Sequence, residues 1–341
     1  MRKFLLPFLM VFTLLFSSCS PKPEEENPEP PAPEATVLGE TEKDISEENS
    51  KVLQQPEEFL LCAYLPLNAV NDISQIPEGS LEMLDYLILN TGVYWNQQGE
   101  LLVAENFDFI ARQLSQKVNL YATVNPKGSM IREGQAGTSI DTLEKRQALS
   151  QNIAEFAAEY NLAGIDIDWE FPEETEWELL GELLLQLEQD LGERQLSLAF
   201  YPKNISLPED SFHAVDRIHI MAYDLFDQQG FHSTLETAVS SVEYFIEMGF
   251  EPQQLSLGIP AYGRPLDASA QWVFYKDIDP TALSSENPDL MGNIYFNSPA
   301  LAAQKIQLAK EYHLGGAMLY HLLCDKTQQD SILYAMKKAA E

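Results

Sequence analysis

From residue 58 onward, short apolar runs alternate with amphipathic patterns of helical length, and this alternation limits the fold more than any other feature of the sequence. Strand-length runs separated by helices predict a parallel sheet whose strands are covered by helices. The candidate strands are 59–64, 86–90, 118–124, 163–170, 196–201, 218–224, 255–262 and 316–320. Eight such runs favour a closed (β/α)8 barrel, the TIM barrel, in which functional side chains collect where the strands end.

The helical patterns between these strands carry buried stripes of apolar residues. One pattern ends at Gly192, a residue type that commonly closes a helix. Another begins at Ser298 and Pro299, which we interpret as an N-cap followed by proline at the first helical position. The stretch 264–291 is poor in periodic pattern, so we expect a long loop over the rim of the barrel and not a separate domain.

The run 162–172 reads Leu-Ala-Gly-Ile-Asp-Ile-Asp-Trp-Glu-Phe-Pro and alternates apolar with acidic side chains. On an extended strand, Asp166, Asp168 and Glu170 point to one face. A half-exposed strand with solvated carboxylates has the same pattern, but the helical patterns on both sides favour a covered strand with desolvated acids. Crowded, desolvated carboxylates share protons, and a raised pKa lets one of them act as a general acid near neutral pH.

Residues 164–170 resemble the catalytic strand of glycoside hydrolase family 18, the chitinases and their relatives. The pattern of that family is Asp-Gly-x-Asp-x-Asp-x-Glu on the fourth strand of a (β/α)8 barrel. Its last three carboxylates correspond to Asp166, Asp168 and Glu170, whereas Ala163 stands in the place of the first Asp. The departure at Ala163 affects the proton arrangement between Asp166 and Asp168 and leaves the acid in place.

Other strand ends extend the resemblance over most of residues 59–325. The run Met-Ala-Tyr-Asp at 221–224 is similar to the sixth-strand motif Met-x-Tyr-Asp, and Gly-Ile-Pro-Ala-Tyr-Gly-Arg at 258–264 is similar to the seventh-strand signature. Tyr64 matches a recurrent first-strand Tyr, and Tyr320 stands where the eighth strand usually has Trp. The third strand lacks the Ser-x-Gly-Gly that the family often has, so the resemblance is to a divergent member.

The resemblance implies substrate-assisted hydrolysis, in which the N-acetyl carbonyl of the sugar attacks the anomeric carbon with retention of configuration. It implies that Glu170 is the acid and later the base, that Asp168 holds the acetamide N–H, and that Asp166 accepts the shared proton. Tyr223 would hydrogen-bond the acetamide and fix its geometry of attack. The residues implied to bind substrate are Asp224, Met221, Tyr64, Tyr262, Arg264 and Tyr320, the last of these by stacking beneath the sugar ring.

Several alternatives remain open at this point. The leading function is hydrolysis of β-1,4-linked N-acetylglucosamine polymers, chitin or chitooligosaccharides. A second is release of N-glycans or cleavage of peptidoglycan strands, and a third is a carbohydrate-binding lectin that has lost catalysis. As ordinary structural residues, Tyr223, Met221 and Tyr262 would be packing side chains, Asp224 would cap a loop, and Arg264 would pair with any surface carboxylate.

The first residues have the pattern of an export signal. Arg2 and Lys3 precede a short apolar core, and Cys19 follows it as in bacterial lipoprotein signals, which predicts residues 1–19 as a signal and Cys19 as the lipidated residue. A plain secretory signal cleaved near Ser18 is the alternative. Residues 20–57 are rich in Pro and Glu and predict a disordered tether, and residues 58–341 form the predicted catalytic domain. We therefore expect an exported protein that is lipid-anchored to a bacterial membrane.

The net charge of −32 disfavours nucleic acid and anionic membrane surfaces as partners and is compatible with a neutral sugar polymer. We expect a monomer that contacts the membrane only through its lipid anchor. The histidines lack ligand spacing, so we expect neither a metal nor a cofactor, and His219 is interpreted as a core side chain. We expect Cys62 and Cys324 to be neighbours, because the first and eighth strands adjoin in a closed barrel. They form either a disulfide or two buried thiols.

Overall fold

A closed barrel of eight parallel strands forms the centre of the computed structural model, which describes residues 58–127, 136–170 and 172–341. The predicted signal, Cys19 and the tether all lie outside these residues. The barrel strands are β1 (Leu60–Pro66), β2 (Tyr86–Trp95), β4 (Asn119–Pro126), β5 (Gly164–Ile167), β6 (Gln195–Phe200), β7 (Arg217–Ile220), β8 (Leu255–Pro260) and β13 (Gly316–Tyr320). Because β1 pairs in parallel with both β13 and β2, the sheet closes on itself. The predicted (β/α)8 barrel is confirmed.

The helices surround the barrel and bury their apolar stripes against it. They are α1 (Phe107–Leu114), α2 (Leu143–Glu159), α3 (Glu176–Leu191), α4 (Leu235–Glu247), α5 (Pro299–Glu311) and α6 (Ile332–Ala340). Ser298 accepts a hydrogen bond from the backbone N–H of Leu301 with Pro299 in the first turn, and Gly192 ends α3 at a φ of 64°. Both predicted helix boundaries are confirmed. Within the described residues, none of the helices has the length and apolarity needed to cross a membrane.

Four regions differ from the sequence prediction, and one of them is the predicted strand 218–224, in which β7 ends at Ile220. The predicted strand 163–170 is regular only over β5, because the chain leaves the sheet after Ile167 and carries Asp168 and Glu170 onto the rim. The strand β2 continues beyond the predicted 86–90 and forms a hairpin with β3 (Leu101–Val103). The hairpin was not predicted, because β3 has only three residues, too few for a clear strand pattern.

The prediction of a structureless loop at 264–291 is wrong in part. A small antiparallel sheet begins before this stretch and runs through it, with strands β9 (Tyr262–Pro265), β10 (Val273–Phe274), β11 (Leu290–Met291) and β12 (Ile294–Tyr295). Three of these strands have only two residues each, too few to give the alternation by which a strand is recognised in a sequence. The small sheet stands beside the mouth of the barrel, where β8 leads directly into β9.

The two cysteines in the described part of the chain are free thiols, and both are buried. Burial raises the pKa of Cys62 and that of Cys324 to about 12. His219 is fully buried, and its Nδ1 lies 3.9 Å from the Cys62 sulfur, which confirms it as a core side chain. Of the two alternatives for the cysteines, the structure supports buried thiols.

Candidate active site

The acidic row of the sequence begins inside the barrel and ends at its mouth. On β5, Ile165 and Ile167 face the helices and pack in the main core, whereas Asp166 faces the barrel axis and is fully buried. Asp168 follows at the strand end with 9% of its surface exposed, and Glu170 is partly exposed on the rim. The three carboxylates therefore form a line from the barrel interior to solvent, as the alternation predicted.

Asp166 is held by three hydroxyl groups from three other strands. Ser197 Oγ donates to its Oδ1 at 2.6 Å, and Thr123 Oγ1 and Tyr64 Oη donate to its Oδ2 at 2.9 and 3.1 Å. Burial raises the pKa of Asp166 to about 6, and the hydroxyl donors oppose that shift because they favour the charged form. This carboxyl is therefore mainly ionised at neutral pH.

Asp168 is the least satisfied of the three carboxyl groups. Its backbone N–H donates to Asn125 Oδ1 at 2.7 Å, but among the described residues its buried Oδ1 has no hydrogen-bond partner. Burial, together with the negative charges of Glu170 and Asp166, raises the pKa of Asp168 well above its ordinary value. A buried carboxyl oxygen without a partner costs free energy, and a ligand donor at this position would remove that cost.

Glu170 has the protonation behaviour of a general acid. Burial and the nearby charge of Asp224 raise the pKa of Glu170 to about 7, and the ammonium group of Lys203 acts in the opposite direction. A carboxyl group with a pKa near the working pH can both donate and accept a proton, which is the requirement for acid–base catalysis. Among the described residues, no group of three His, Cys, Asp or Glu side chains is placed to hold a metal ion.

A cavity of about 150 Å³ opens in front of Glu170. It is lined by Tyr64, Asp168, Glu170, Ala199, Tyr201, Met221, Tyr223, Asp224, Tyr262, Trp272 and Tyr320. The structure thus brings together eight of the ten residues predicted for the active site. The two others lie behind residues that line the cavity. Asp166 accepts a hydrogen bond from Tyr64, and Arg264 donates one to Asp224. Tyr223, Met221 and Tyr262 are buried, but they also face the cavity.

Asp224 is the centre of a second polar group on the same rim. Tyr262 Oη donates to its Oδ2 at 2.8 Å, and Arg264 Nη1 donates to its Oδ1 in a close ion pair. Burial raises the pKa of Asp224, while Tyr262 and Arg264 act to lower it. The backbone of Asp224 has a φ of 55°, a left-handed conformation that Asp tolerates better than most residues. The alternative in which Arg264 pairs with a surface carboxylate is therefore wrong.

Tyr223 owes its position to a glycine on the neighbouring strand. A Cβ atom at Gly258 would overlap the carbonyl oxygen of Ile220 and lie 3.0 Å from Cε1 of Tyr223. On its other side the Tyr223 ring stacks with Tyr320, with centroids 5.5 Å apart and planes inclined by 26°. The Tyr223 ring is thereby fixed between the end of β8 and the end of β13.

Sequence reasoning missed Trp272, which lines the cavity from the small sheet. Its indole lies flat on the ring of Tyr262, with centroids 3.9 Å apart and an angle of 3° between the planes. The available signal was a single Trp in an otherwise small and polar stretch, Asp-Ala-Ser-Ala-Gln-Trp, where no helical or strand pattern requires a large apolar residue. Ala199, near the end of β6, and Tyr201, directly after it, were missed as well.

The fold and this cavity define a (β/α)8 barrel protein with an acid–base site at the C-terminal ends of its strands. Residues 137–325, more than half of the chain, match the sequence profile of glycosyl hydrolases family 18. The chain belongs to this family.

Several of the similar proteins are chitinases by name. Chitinase 1 of Aphanocladium album is 25% identical over 247 residues, which are 55% of this chain and 58% of that protein. The chain spans 10% and 28% of the length of two other curated relatives, a secreted chitinase of Penicillium expansum and a probable chitinase of Drosophila melanogaster.

Among solved structures, the chitinase ChiB of Flavobacterium johnsoniae has a TM-score of 0.72 at 23% identity, covering 83% of this chain and 94% of that one. A chitinase catalytic domain of Ostrinia furnacalis, in complex with penta-N-acetylchitooctaose, has a TM-score of 0.69 at 14% identity over 82% of this chain and 96% of that one. At these identities the two structures support the fold.

Proposed function

We propose that this chain is a retaining glycoside hydrolase that cleaves β-1,4-linked N-acetylglucosamine polymers, chitin or chitooligosaccharides, by substrate-assisted catalysis. Family membership and the chitinase names of the relatives support the substrate class. The observation that carries the mechanism is Glu170, which faces the cavity with a pKa of about 7 beside Asp168, whose buried Oδ1 lacks a partner.

In the first step, the protonated Glu170 donates its proton to the glycosidic oxygen as the bond to the anomeric carbon breaks. The carbonyl oxygen of the substrate's own acetamide attacks that carbon from the opposite face and forms a cyclic oxazolinium ion. In the second step, the Glu170 carboxylate takes a proton from water, and the water oxygen opens the ring. Two inversions at one carbon give net retention, and Glu170 ends the cycle protonated.

The remaining groups stabilise the intermediate and orient the acetamide. Asp168 Oδ1 accepts the acetamide N–H and places a negative carboxylate beside the positive oxazolinium ion. Asp166 lies behind Asp168, is held by its three hydroxyl donors and accepts the proton that Asp168 releases. Tyr223, held beside Gly258, donates to the acetamide oxygen, and Asp224 binds the sugar from the same rim.

The stereochemistry of the first product tests this mechanism. We expect proton NMR to show the β-anomer as the initial product of chitooligosaccharide cleavage, and a thiazoline analogue of the oxazolinium ion to inhibit competitively. Initial formation of the α-anomer, or no inhibition by the thiazoline, would contradict it. Product profiles on chitooligosaccharides, N-glycans and peptidoglycan, measured side by side, then identify the preferred polymer, and binding to chitin without any hydrolysis would indicate a lectin.

We also propose that the protein is exported and anchored through a lipid on Cys19, and that residues 20–57 hold the barrel away from the membrane. The sequence pattern of residues 1–19 supports this placement. In bacteria that express the gene, labelled fatty acid is expected in the wild-type protein and not in Cys19→Ala. Equal labelling of the two would contradict the anchor.

A further inference from the structure

Six aromatic side chains line the cavity, and they differ in what they can offer a sugar ring. Tyr64, Tyr223 and Tyr262 have 1%, 3% and 0% of their surface exposed, so their ring faces are already occupied by protein. The other three, Tyr201, Trp272 and Tyr320, keep partly exposed surface. A stacking platform for substrate must come from these three.

Tyr320 and Tyr201 each have a ring face in use. Tyr320 stacks on Tyr223 and has four further rings around it: Tyr64 at 5.7 Å, His321 at 5.5 Å, Trp272 at 6.0 Å and Tyr262 at 6.5 Å between centroids. The ammonium nitrogen of Lys203 lies over the Tyr201 ring, 5.2 Å from its centroid. Both rings are therefore already engaged with protein groups, and a phenol ring offers less contact area than an indole.

Trp272 is differently placed. The Tyr262 ring covers one face of the indole, and the Tyr320 ring meets it nearly perpendicularly, at 80°. Among the described residues these are the two aromatic rings in contact with the indole, which keeps partly exposed surface and lines the cavity. Indole is also the largest aromatic surface available to a side chain, and stacking energy increases with contact area.

From this arrangement we infer that Trp272 is the aromatic platform of the site, on which an N-acetylglucosamine ring of the substrate stacks through its apolar C–H face. The inference rests on the proposed function and adds a specificity-determining residue to it. It assigns to Trp272 the stacking role that the sequence resemblance suggested for Tyr320.

The platform is rigid before any ligand arrives. Next to Trp272, Val273 and Phe274 pair with Gly263 and Tyr262, and the backbone N–H of Tyr275 donates to the carbonyl oxygen of Ala261 at 2.9 Å. On the other side, Arg264 Nη2 donates to the carbonyl oxygen of Ser269 at 2.9 Å. A side chain that is already ordered loses little conformational entropy on binding, which strengthens binding.

The four tryptophans of the chain make the inference directly measurable. Trp95, Trp169 and Trp177 have only 1%, 1% and 6% of their surface exposed and do not line the cavity. We expect the intrinsic fluorescence of the wild type to change when chitotetraose is mixed in, read by stopped flow before hydrolysis. In Trp272→Phe most of that change should disappear, while the remaining aromatic face preserves binding within a few-fold.

A second experiment measures the dissociation constants of three alanine variants for chitotetraose. Trp272→Ala should weaken binding by about tenfold, and Tyr320→Ala should weaken it less. Phe274→Ala is the matched control, because Phe274 lies two residues after Trp272, is exposed and does not line the cavity. It should bind like the wild type. Circular dichroism and the melting temperature establish that each variant is folded.

The outcomes separate the inference from the function on which it rests. If the wild type hydrolyses chitotetraose but Trp272→Ala binds it as tightly as the wild type does, the platform is refuted and the proposed function stands. A larger loss in Tyr320→Ala than in Trp272→Ala refutes it as well and returns the stacking role to Tyr320. If the wild type neither binds nor cleaves any chitooligosaccharide, the proposed function fails and the platform with it.

Discussion

Two acidic groups lie at the mouth of the barrel: the row of three carboxyls on β5 and after it, and the single carboxyl of Asp224. Their side chains have different hydrogen-bond and ion-pair partners. In the row formed by Asp166, Asp168 and Glu170, Asp166 is bound by hydroxyl groups, Asp168 Oδ1 has no partner among the described residues, and burial raises all three pKa values. At Asp224, an arginine and a tyrosine bind the carboxylate directly. Burial raises the pKa of Asp224 as well, but there the adjacent guanidinium favours the ionised form and opposes the shift.

The difference has a functional meaning because the second group acts on the first. After burial, the charge of Asp224 is the main cause of the raised pKa of Glu170. Arg264 thus supports the acid through Asp224, which it holds in place and whose ionised form it favours. A protonated acid near neutral pH results from a fixed anion nearby as well as from burial.

The largest expected effect comes from removing the proton of the acidic row. Glu170→Gln keeps the shape and burial of the side chain but has no acidic proton, so kcat on a chitooligosaccharide should fall by about 100-fold or more. Binding, measured by calorimetry, should change by only a few-fold. Hydrolysis at the wild-type rate would remove Glu170 from the mechanism and end the contrast between the two groups.

The influence of Asp224 on Glu170 can be measured from the pH dependence of kcat. The acid must be protonated, so kcat should decrease as the pH rises through about 7. Asp224→Asn removes the charge that raises the pKa of Glu170. In this variant the decrease of kcat at alkaline pH, the alkaline limb of the profile, should therefore begin at lower pH, independently of any loss in the maximum rate. Lys203→Met removes the opposing charge and should move the limb to higher pH.

Asp227→Asn is the control for these shifts, because Asp227 lies on the same loop and accepts hydrogen bonds only from neighbouring backbone groups among the described residues. It should leave the limb in place. Shifts of the same sign in Asp224→Asn and Lys203→Met would contradict the electrostatic explanation.

A smaller effect is expected inside the barrel. Ser197→Ala leaves Asp166 Oδ1 without its donor and should cost about 1–3 kcal/mol of unfolding free energy at pH 8. The cost should be smaller at pH 5, below the pKa of about 6, where the protonated carboxyl no longer needs the donor to the same degree. Denaturant titrations at the two pH values measure it.

Ser256→Ala is the matched control for Ser197→Ala. Ser256 is equally buried on β8, but its Oγ has no hydrogen-bond partner among the described residues. Its loss should therefore cost little at either pH. Equal costs in the two variants would show that Ser197 contributes by packing and not through Asp166.

The smallest effect is expected away from both groups. Because Cys62 and Cys324 are free thiols, a reducing agent should leave the melting temperature unchanged. Both thiols should react with an alkylating agent only after unfolding, since burial protects them and raises their pKa to about 12. A melting temperature lowered by several degrees on reduction would indicate a disulfide.

Much of the fold and of the acidic row follows from sequence, for physical reasons. Eight apolar runs of strand length repeat often enough for a barrel to be inferred, and carboxylates two residues apart must share a face of an extended strand. Met221, Tyr223 and Tyr262 were placed at the site through the family resemblance alone, since buried aromatic and Met residues usually pack in a core.

The partners of these residues could not be predicted, because they come from distant parts of the chain. Ser197 and Asn125 are common polar residues whose roles depend on strand register. The pairing of Asp224 with Arg264 spans 40 residues. Their positions at the ends of strands predict that both lie on the rim but not that they form a pair. Trp272 directly precedes the two-residue strand β10, where pairing with β9 and not local pattern determines the structure.

The absence of a side chain at position 258 has a consequence for anyone who searches this enzyme for inactive variants. Even the smallest replacement, alanine, would collide with the backbone of β7 and press on the Tyr223 ring. Such a variant would lose turnover although position 258 does not itself line the cavity. A mutational screen should therefore recover this glycine alongside the acids, as a spacer that sets where the phenol points.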